Sequence, residues 1–271
     1  MKIGIFYFSA TGITELISNH IAEILEGSGH SVIKSNLITP KSRKSTIDFI
    51  DFNMVFFGFP VFRGRAPSVA EDWMKSLDGK DQKCSMFFTY GARDLEWAHQ
   101  ATYYLLSQAH FRVVLSAEFI GKHSYNVGEG WSLAEERPNQ LDFDIATEFA
   151  LQSIRRFQED NYFKMISDFS YQPIKIEERT DSWAKFYPSR NKNECSMCYL
   201  CEDECPVAAF DANSGETNRS VCITCMHCVT ICPDKVIQIC EVSQIFKQFV
   251  VRWGLTDEIV NQKKSKILYE I

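Results

Sequence analysis

Residues 2–25 read KIGIFYFSATGITELISNHIAEIL. KIGIFYF is a compact β-prone run without helical spacing. From Ile13 onward the apolar residues Ile13, Leu16, Ile17, Ile21, Ile24 and Leu25 recur at helical intervals. Strand, tight polar loop and amphipathic helix make a βα unit, with the loop at the helix N-terminus. Unpaired backbone N–H groups and the helix dipole suit that position to a phosphate. Ser9, Thr11 and Thr14 add hydroxyls, and Gly12 lets the backbone approach closely.

The same alternation continues outward. HSVIKSNL (30–37) reads as a second strand, and NMVFFGFP (53–60) is an unbroken apolar run suited to a buried parallel strand. VFRGRAP leads into a helix at about 67–78. CSMFFTYG (84–91) is the fourth strand and is followed by a helix near 95–110. RVVLSAEFIG (112–121) is the fifth. Phe143, Ala146, Ala150, Ile154 and Phe157 mark the core face of a last helix. Alternating β and α elements with short connections predict an α/β fold, a doubly wound five-stranded parallel sheet. Ligands of such sheets bind beyond the carboxyl ends of the strands, where the loops Ser9–Thr14, Pro60–Arg65 and Tyr90–Asp94 fall.

The first loop lacks both the G-x4-G-K-[ST] and G-x-G-x-x-G patterns. Its S-x-T-G-x-T spacing, after the first strand of an α/β chain, resembles the FMN-phosphate loop of the flavodoxin family. That resemblance spans roughly residues 1–165. It implies that Ser9, Ala10, Thr11, Gly12, Ile13 and Thr14 surround the phosphate. It also implies that Pro60, Val61, Phe62, Arg63 and Gly64 flank the isoalloxazine ring with Tyr90, Gly91, Ala92 and Arg93. Phe62 or Tyr90 is the stacking candidate. Arg63, Arg65 and Arg93 are candidates to stabilise a reduced, anionic flavin, although a loop arginine is more often simply solvated.

KHSYNVGEGWSLAEERPNQLD (122–142) is longer than its connection requires. Its glycines and Asn126, with Tyr125 and Trp131, predict a lid beside the flavin. Pro138 and Asn139 start the next helix. His123 is a candidate proton donor, but for a lone histidine, as for His227, a structural role is the more ordinary one.

Two further stretches carry chemistry of another kind, CSMCYLCEDECP (195–206) and CITCMHCVTICP (222–233). Each is C-x2-C-x2-C-x3-C-P, and the pair resembles a bacterial 2[4Fe–4S] ferredoxin domain over about fifty residues. The resemblance implies that Cys195, Cys198 and Cys201 share one cluster with Cys232. Cys222, Cys225 and Cys228 share the other with Cys205. Zinc knuckles are the alternative that C-x2-C pairs admit. Two matching four-cysteine motifs, both closed by proline (Pro206 and Pro233), favour the clusters.

These eight cysteines leave only Cys84 and Cys240 of the ten. Cys84 reads as buried core, and Cys240 has no readable role. Reduced thiols point to a reducing cytoplasm, and oxygen-sensitive clusters to an anaerobe. No run approaches membrane-spanning length. A net charge of −6 over 271 residues gives no reason to expect nucleic acid or an anionic membrane surface. The expected organisation is a flavodoxin-like FMN domain at 1–165 and a polar connector at 166–189. A small α+β ferredoxin domain at 190–240 and a C-terminal helical tail at 241–271 complete it. SQIFKQFVVRWGL in the tail reads as an amphipathic helix packed back on one of the domains.

A flavodoxin-like domain joined to a two-cluster ferredoxin resembles the flavodoxin–ferredoxin fusion proteins. Each cluster carries one electron at a time, whereas FMN takes electrons singly and delivers two. The expected function is an FMN-dependent oxidoreductase fed by a low-potential donor such as a ferredoxin and reducing a small molecule. A non-catalytic carrier serving a separate acceptor enzyme is the alternative, and a redox sensor or structural protein comes third. No nicotinamide fingerprint is present.

Overall fold

The computed structural model describes residues 1–166, 168–173, 186–191 and 194–271. Much of the expected connector, residues 167 and 174–185, lies outside the described residues. The chain runs β1 (Lys2–Tyr7), α1 (Ile13–Gly27), β2 (Ser31–Asn36), α2 (Pro40–Lys44), β3 (Met54–Pro60) and α3 (Ser68–Lys75). β4 (Lys83–Tyr90), α4 (Ala98–Gln108), β5 (Arg112–Ile120) and α5 (Gln140–Gln158) follow. The five strands pair in the parallel order β2-β1-β3-β4-β5. That order is the flavodoxin-like form of the doubly wound sheet.

Strand periodicity explains why helices cover both faces. Along β1, Ile3, Ile5 and Tyr7 pack with Ile17, Ile21, Ala146 and Phe149 of α1 and α5. Phe6 and Phe8 point the other way, toward Trp73 and Met74 of α3 and Leu105 of α4. At Gly58 in β3, an added Cβ would stand 2.2 Å from the Phe87 ring, so the two strands exchange aromatic volume there. α5 starts at a capping box, Asn139 and Asp142 each accepting from the other's backbone amide.

The expected five-stranded sheet gains a sixth strand, and the expected helical tail is only partly helical. Helices α6 (Ser243–Trp253) and α7 (Asp257–Gln262) lead to β6 (Lys266–Leu268). β6 pairs antiparallel with β5, Ile267 opposite Ala117. A three-residue strand carries no periodic signal of its own. It forms because the outer edge of β5 offers a row of backbone groups to pair with. Ser265 anchors it by accepting the Ile120 amide at 2.9 Å.

The cysteine-rich part is small and mixed. Ser189–Arg190 pairs with Ile237–Gln238, Phe210–Asp211 pairs with Glu216–Thr217, and helical turns occupy Leu200–Asp203 and His227–Ile231. A third core joins this part to the rest. Met226 and Ile239 meet Ala92 and Ile120 of the sheet, Trp131 and Leu133, and Phe249, Leu255 and Val260 of the tail. Among the described residues no helix is long and apolar enough to cross a membrane.

Candidate functional site

The loop between β1 and α1 turns through Gly12 at φ +89°, a left-handed conformation that glycine adopts without the penalty of a side chain. Among the described residues no acceptor takes the backbone amides of residues 11–14. The Glu15 amide donates to Ser9 Oγ at 3.1 Å. Thr14 Oγ1 is buried and 2.7 Å from Thr89 Oγ1. Two of the three expected hydroxyls are therefore already engaged in holding the loop. Thr11 is the one left to face a ligand. Free amides at the start of a 15-residue helix are the donor set that a phosphate requires.

A small cavity of about 50 Å³ opens on this loop, lined by Ser9, Ala10, Thr11, Ile13, Thr14, Pro60, Val61, Phe62, Tyr90 and Gly91. It adjoins a larger one of about 340 Å³, and Val61, Tyr90, Gly91 and His123 line both. Arg63, Gly64 and Arg93 line the larger cavity. Of the fifteen expected flavin contacts, Gly12 and Ala92 line neither, and Ala92 is fully buried in the third core. Arg65 turns away, its Nε 2.8 Å from Glu71 Oε1 in a buried ion pair. Phe62 packs edge-on to Phe8 at 6.4 Å, against the sheet core.

The rest of the larger cavity's wall is Asp94 and Glu96, which follow β4, and, from further along the chain, Tyr125, Trp131, Phe186, Phe249, Arg252 and Trp253. Instead of a free lid, residues 122–139 are built into the third core. Trp131 touches His123, Tyr125, Phe246 and Phe249 at ring separations of 5.0–5.3 Å. Sequence reasoning missed Phe186, Phe249, Arg252 and Trp253. Phe246, Phe249 and Trp253 form a helical stripe, which showed that the helix buries one face but not against what.

His123 Nδ1 accepts the Tyr125 amide at 3.1 Å, so the neutral ring carries its proton on Nε2. Burial, helped by the Arg93 charge, pulls its pKa down to about 4. The Trp131 Nε1–H is buried and meets no acceptor among the described residues. A cavity of this size with aromatic walls fits the ring system of a flavin.

The cysteines gather in two sets. Cys195, Cys198, Cys201 and Cys232 ring one cavity; Cys205, Cys222, Cys225 and Cys228 ring another. These are the foursomes that the ferredoxin resemblance implies, each with its last member from the opposite motif. Among the described residues, no three His, Cys, Asp or Glu side chains are arranged to hold a single metal ion. Four soft sulfur donors around a cavity suit a multi-atom iron–sulfur group. Burial pushes the thiols of Cys201 and Cys222 up to about 11 and that of Cys225 to about 12. A cationic centre is what would hold them as thiolates.

The two sets differ in setting. Cys198 is exposed, beside the exposed side chains of Met197, Tyr199 and Leu200. Cys225 is buried, and its loop packs against residues that line the two cavities. His227 Nδ1 is 2.8 Å from the Ala10 carbonyl in the phosphate-type loop. The Tyr125 hydroxyl, on the larger cavity, is 3.1 Å from Thr224 Oγ1 between Cys222 and Cys225. Arg43 reaches from α2 to the Pro206 carbonyl.

Known proteins resemble the two parts separately. Residues 187–233 match the family described as 4Fe-4S dicluster domain. Ferredoxin-2 of Chlorobaculum tepidum is 36% identical over 59 residues, covering 18% of this chain and 95% of that protein. Across the sheet, an archaeal flavodoxin overlaps 58% of this chain and 99% of its own at 12% identity and a TM-score of 0.44. Oxidised flavodoxin 2 from Bacillus cereus overlaps the same shares at 20% identity and a TM-score of 0.44. Through its cysteine segment the chain belongs to the dicluster ferredoxin family, and it is an iron–sulfur electron-transfer protein. More particularly, it joins a flavodoxin-like sheet to a ferredoxin-type domain, the architecture of a flavodoxin–ferredoxin fusion.

Proposed function

We propose that the protein is an FMN-dependent reductase in which two [4Fe–4S] clusters relay electrons from a low-potential donor to a flavin. The observation that carries this reading is the seating of the second cysteine loop on the cavity walls, through His227–Ala10 and Tyr125–Thr224. The set with an exposed member, Cys195, Cys198, Cys201 and Cys232, is where a donor such as a reduced ferredoxin delivers. The inner set, Cys205, Cys222, Cys225 and Cys228, faces the flavin. Bound FMN supplies the conversion of single electrons into a two-electron reduction. The free amides of residues 11–14 and the Thr11 hydroxyl hold its phosphate, and the loops at 60–64 and 90–93 hold its ring. Tether and packing fix donor and acceptor side by side, which replaces a bimolecular encounter.

A non-catalytic carrier needs an exposed flavin edge. The wall of Trp131, Phe186, Phe249 and Trp253 favours an enclosed pocket and hence a small-molecule substrate. Anaerobic reconstitution tests the reading. The expected content is one FMN, eight iron and eight sulfide per chain, with a flavin protected from a bulky protein oxidant. Zinc without sulfide, or no retained FMN, would sink it.

A further inference from the structure

We infer that Lys122 is a specificity-determining residue for a phosphorylated flavin, its ammonium passing from Glu135 to the phosphate when the ligand binds. The inference deepens the FMN reading and rests on it.

The smaller cavity has a wall that the β1–α1 loop does not supply. Gly121, Lys122 and Ser124, just beyond β5, line it together with Thr11 and Thr14. An added Cβ on Gly121 would stand 2.3 Å from Ile13 Cγ2, so this stretch presses on the first residue of α1. Its backbone is pinned. Gly121 and Lys122 donate to the Tyr90 and Arg137 carbonyls at 3.0 and 2.8 Å. The part of Lys122 able to move is its side chain, on a flexible four-carbon stem.

Charge is what that side chain brings. Among the described residues no Asp or Glu lines the smaller cavity, and Lys122 is the one ammonium or guanidinium in its lining. A phosphate monoester carries about −1.5 to −2 charge at neutral pH, which the partial charges of helix amides meet only in part. The Lys122 ammonium is paired with Glu135, whose other carboxylate oxygen accepts from the Asn126 side chain. The two charged side chains are 38% and 44% exposed, and a pair so open to water contributes little. A phosphate at the start of α1 offers more charge than one carboxylate. Glu135 keeps Asn126 as a partner when the lysine leaves.

The full chain, with clusters reconstituted and flavin removed, is titrated with FMN and with riboflavin, which differ only in the phosphate. Quenching of flavin fluorescence reports binding, and denaturant unfolding of the flavin-free protein controls for the fold. The expected result in Lys122→Met is a loss of tenfold or more for FMN, with riboflavin binding and unfolding unaltered. Lys122→Arg keeps most of the FMN affinity. Glu135→Gln, which releases the ammonium, tightens FMN severalfold. FMN bound as tightly by Lys122→Met as by wild type, or an equal loss for FMN and riboflavin, overturns the inference and leaves the FMN reading standing. Wild-type protein that binds riboflavin as tightly as FMN, or binds neither, overturns both.

Discussion

His227, inside the second cysteine motif, donates from Nδ1 to the backbone carbonyl of Ala10 in the β1–α1 loop across 2.8 Å, and the bond is buried. The two residues are 217 positions apart in the chain. A single hydrogen bond thus joins the loop suited to a phosphate to the loop suited to an inner cluster. The geometry makes the nearness of the two loops a property of the folded chain.

Replacing His227 by Ala leaves the Ala10 carbonyl without its donor, at a cost of about 1–3 kcal/mol. Denaturant unfolding of the reconstituted protein should show that loss. Flavin reduction through the clusters should slow as well, with iron and FMN contents measured alongside. Unchanged stability and unchanged electron delivery together would mean that the contact is incidental.

The phosphate loop gives a sharper contrast. Thr11→Ala should weaken FMN binding by about 1.5–3 kcal/mol, roughly ten- to hundredfold or slightly more, because a bond to a charged group is lost. It should leave unfolding of the apoprotein unchanged. Thr14→Val should do the reverse, since it strips the buried Thr89 hydroxyl of its partner. Titration of both apoproteins with FMN checks the pair, and equal affinities in all three proteins would place the phosphate elsewhere.

Acid should loosen the cavity wall. His123 titrates near 4 when folded, because burial disfavours its charged form, against an ordinary value of about 6.5. Between those values the unfolded chain binds a proton that the folded chain does not, so stability is complete above about 6.5 and falls as pH drops toward 4. The gap is worth on the order of 3 kcal/mol in all. His123→Gln should flatten that part of the stability–pH curve. An unaltered curve would show that His123 reaches water when folded.

Asp142 ties the tail to the sheet. It is fully buried, pairs with Arg137, caps α5 and accepts the Ser265 hydroxyl. Arg137→Ala leaves a buried carboxylate without its cation and should cost about 3–5 kcal/mol. Because Ser265 precedes β6, the variant should also free the C-terminal strand to limited proteolysis. Resistance equal to wild type would contradict that link.

Much of this was legible in the sequence, for physical reasons. β1, β3, β4 and β5 are largely apolar runs because both of their faces are buried, whereas β2 is a mostly exposed edge strand read from its place in the alternation. The predicted limits of all five agree with the structure within a residue or two. The two cysteine foursomes that ring the cavities are those that the ferredoxin resemblance implies. β6 was not legible, because Lys266–Leu268 becomes a strand only on meeting β5. Phe249 and Trp253 showed their stripe but not their destination, which depends on a core shared by four stretches of chain. Arg65 looked like a flavin residue and is held instead by Glu71, a partner only six positions away whose role depends on burial.

The central claim is that electrons reach FMN through the cysteine clusters. Cys225→Ala removes the buried member of the inner set while leaving Cys195, Cys198, Cys201 and Cys232 intact. Stopped-flow flavin absorbance, with iron content measured in parallel, compares reduction by a reduced ferredoxin with direct reduction by dithionite. The account predicts that the variant keeps its FMN, loses iron, and is reduced much more slowly by ferredoxin but not by dithionite. An unchanged rate with ferredoxin, with the inner cluster demonstrably absent, would mean that electrons arrive by another route and would contradict the relay.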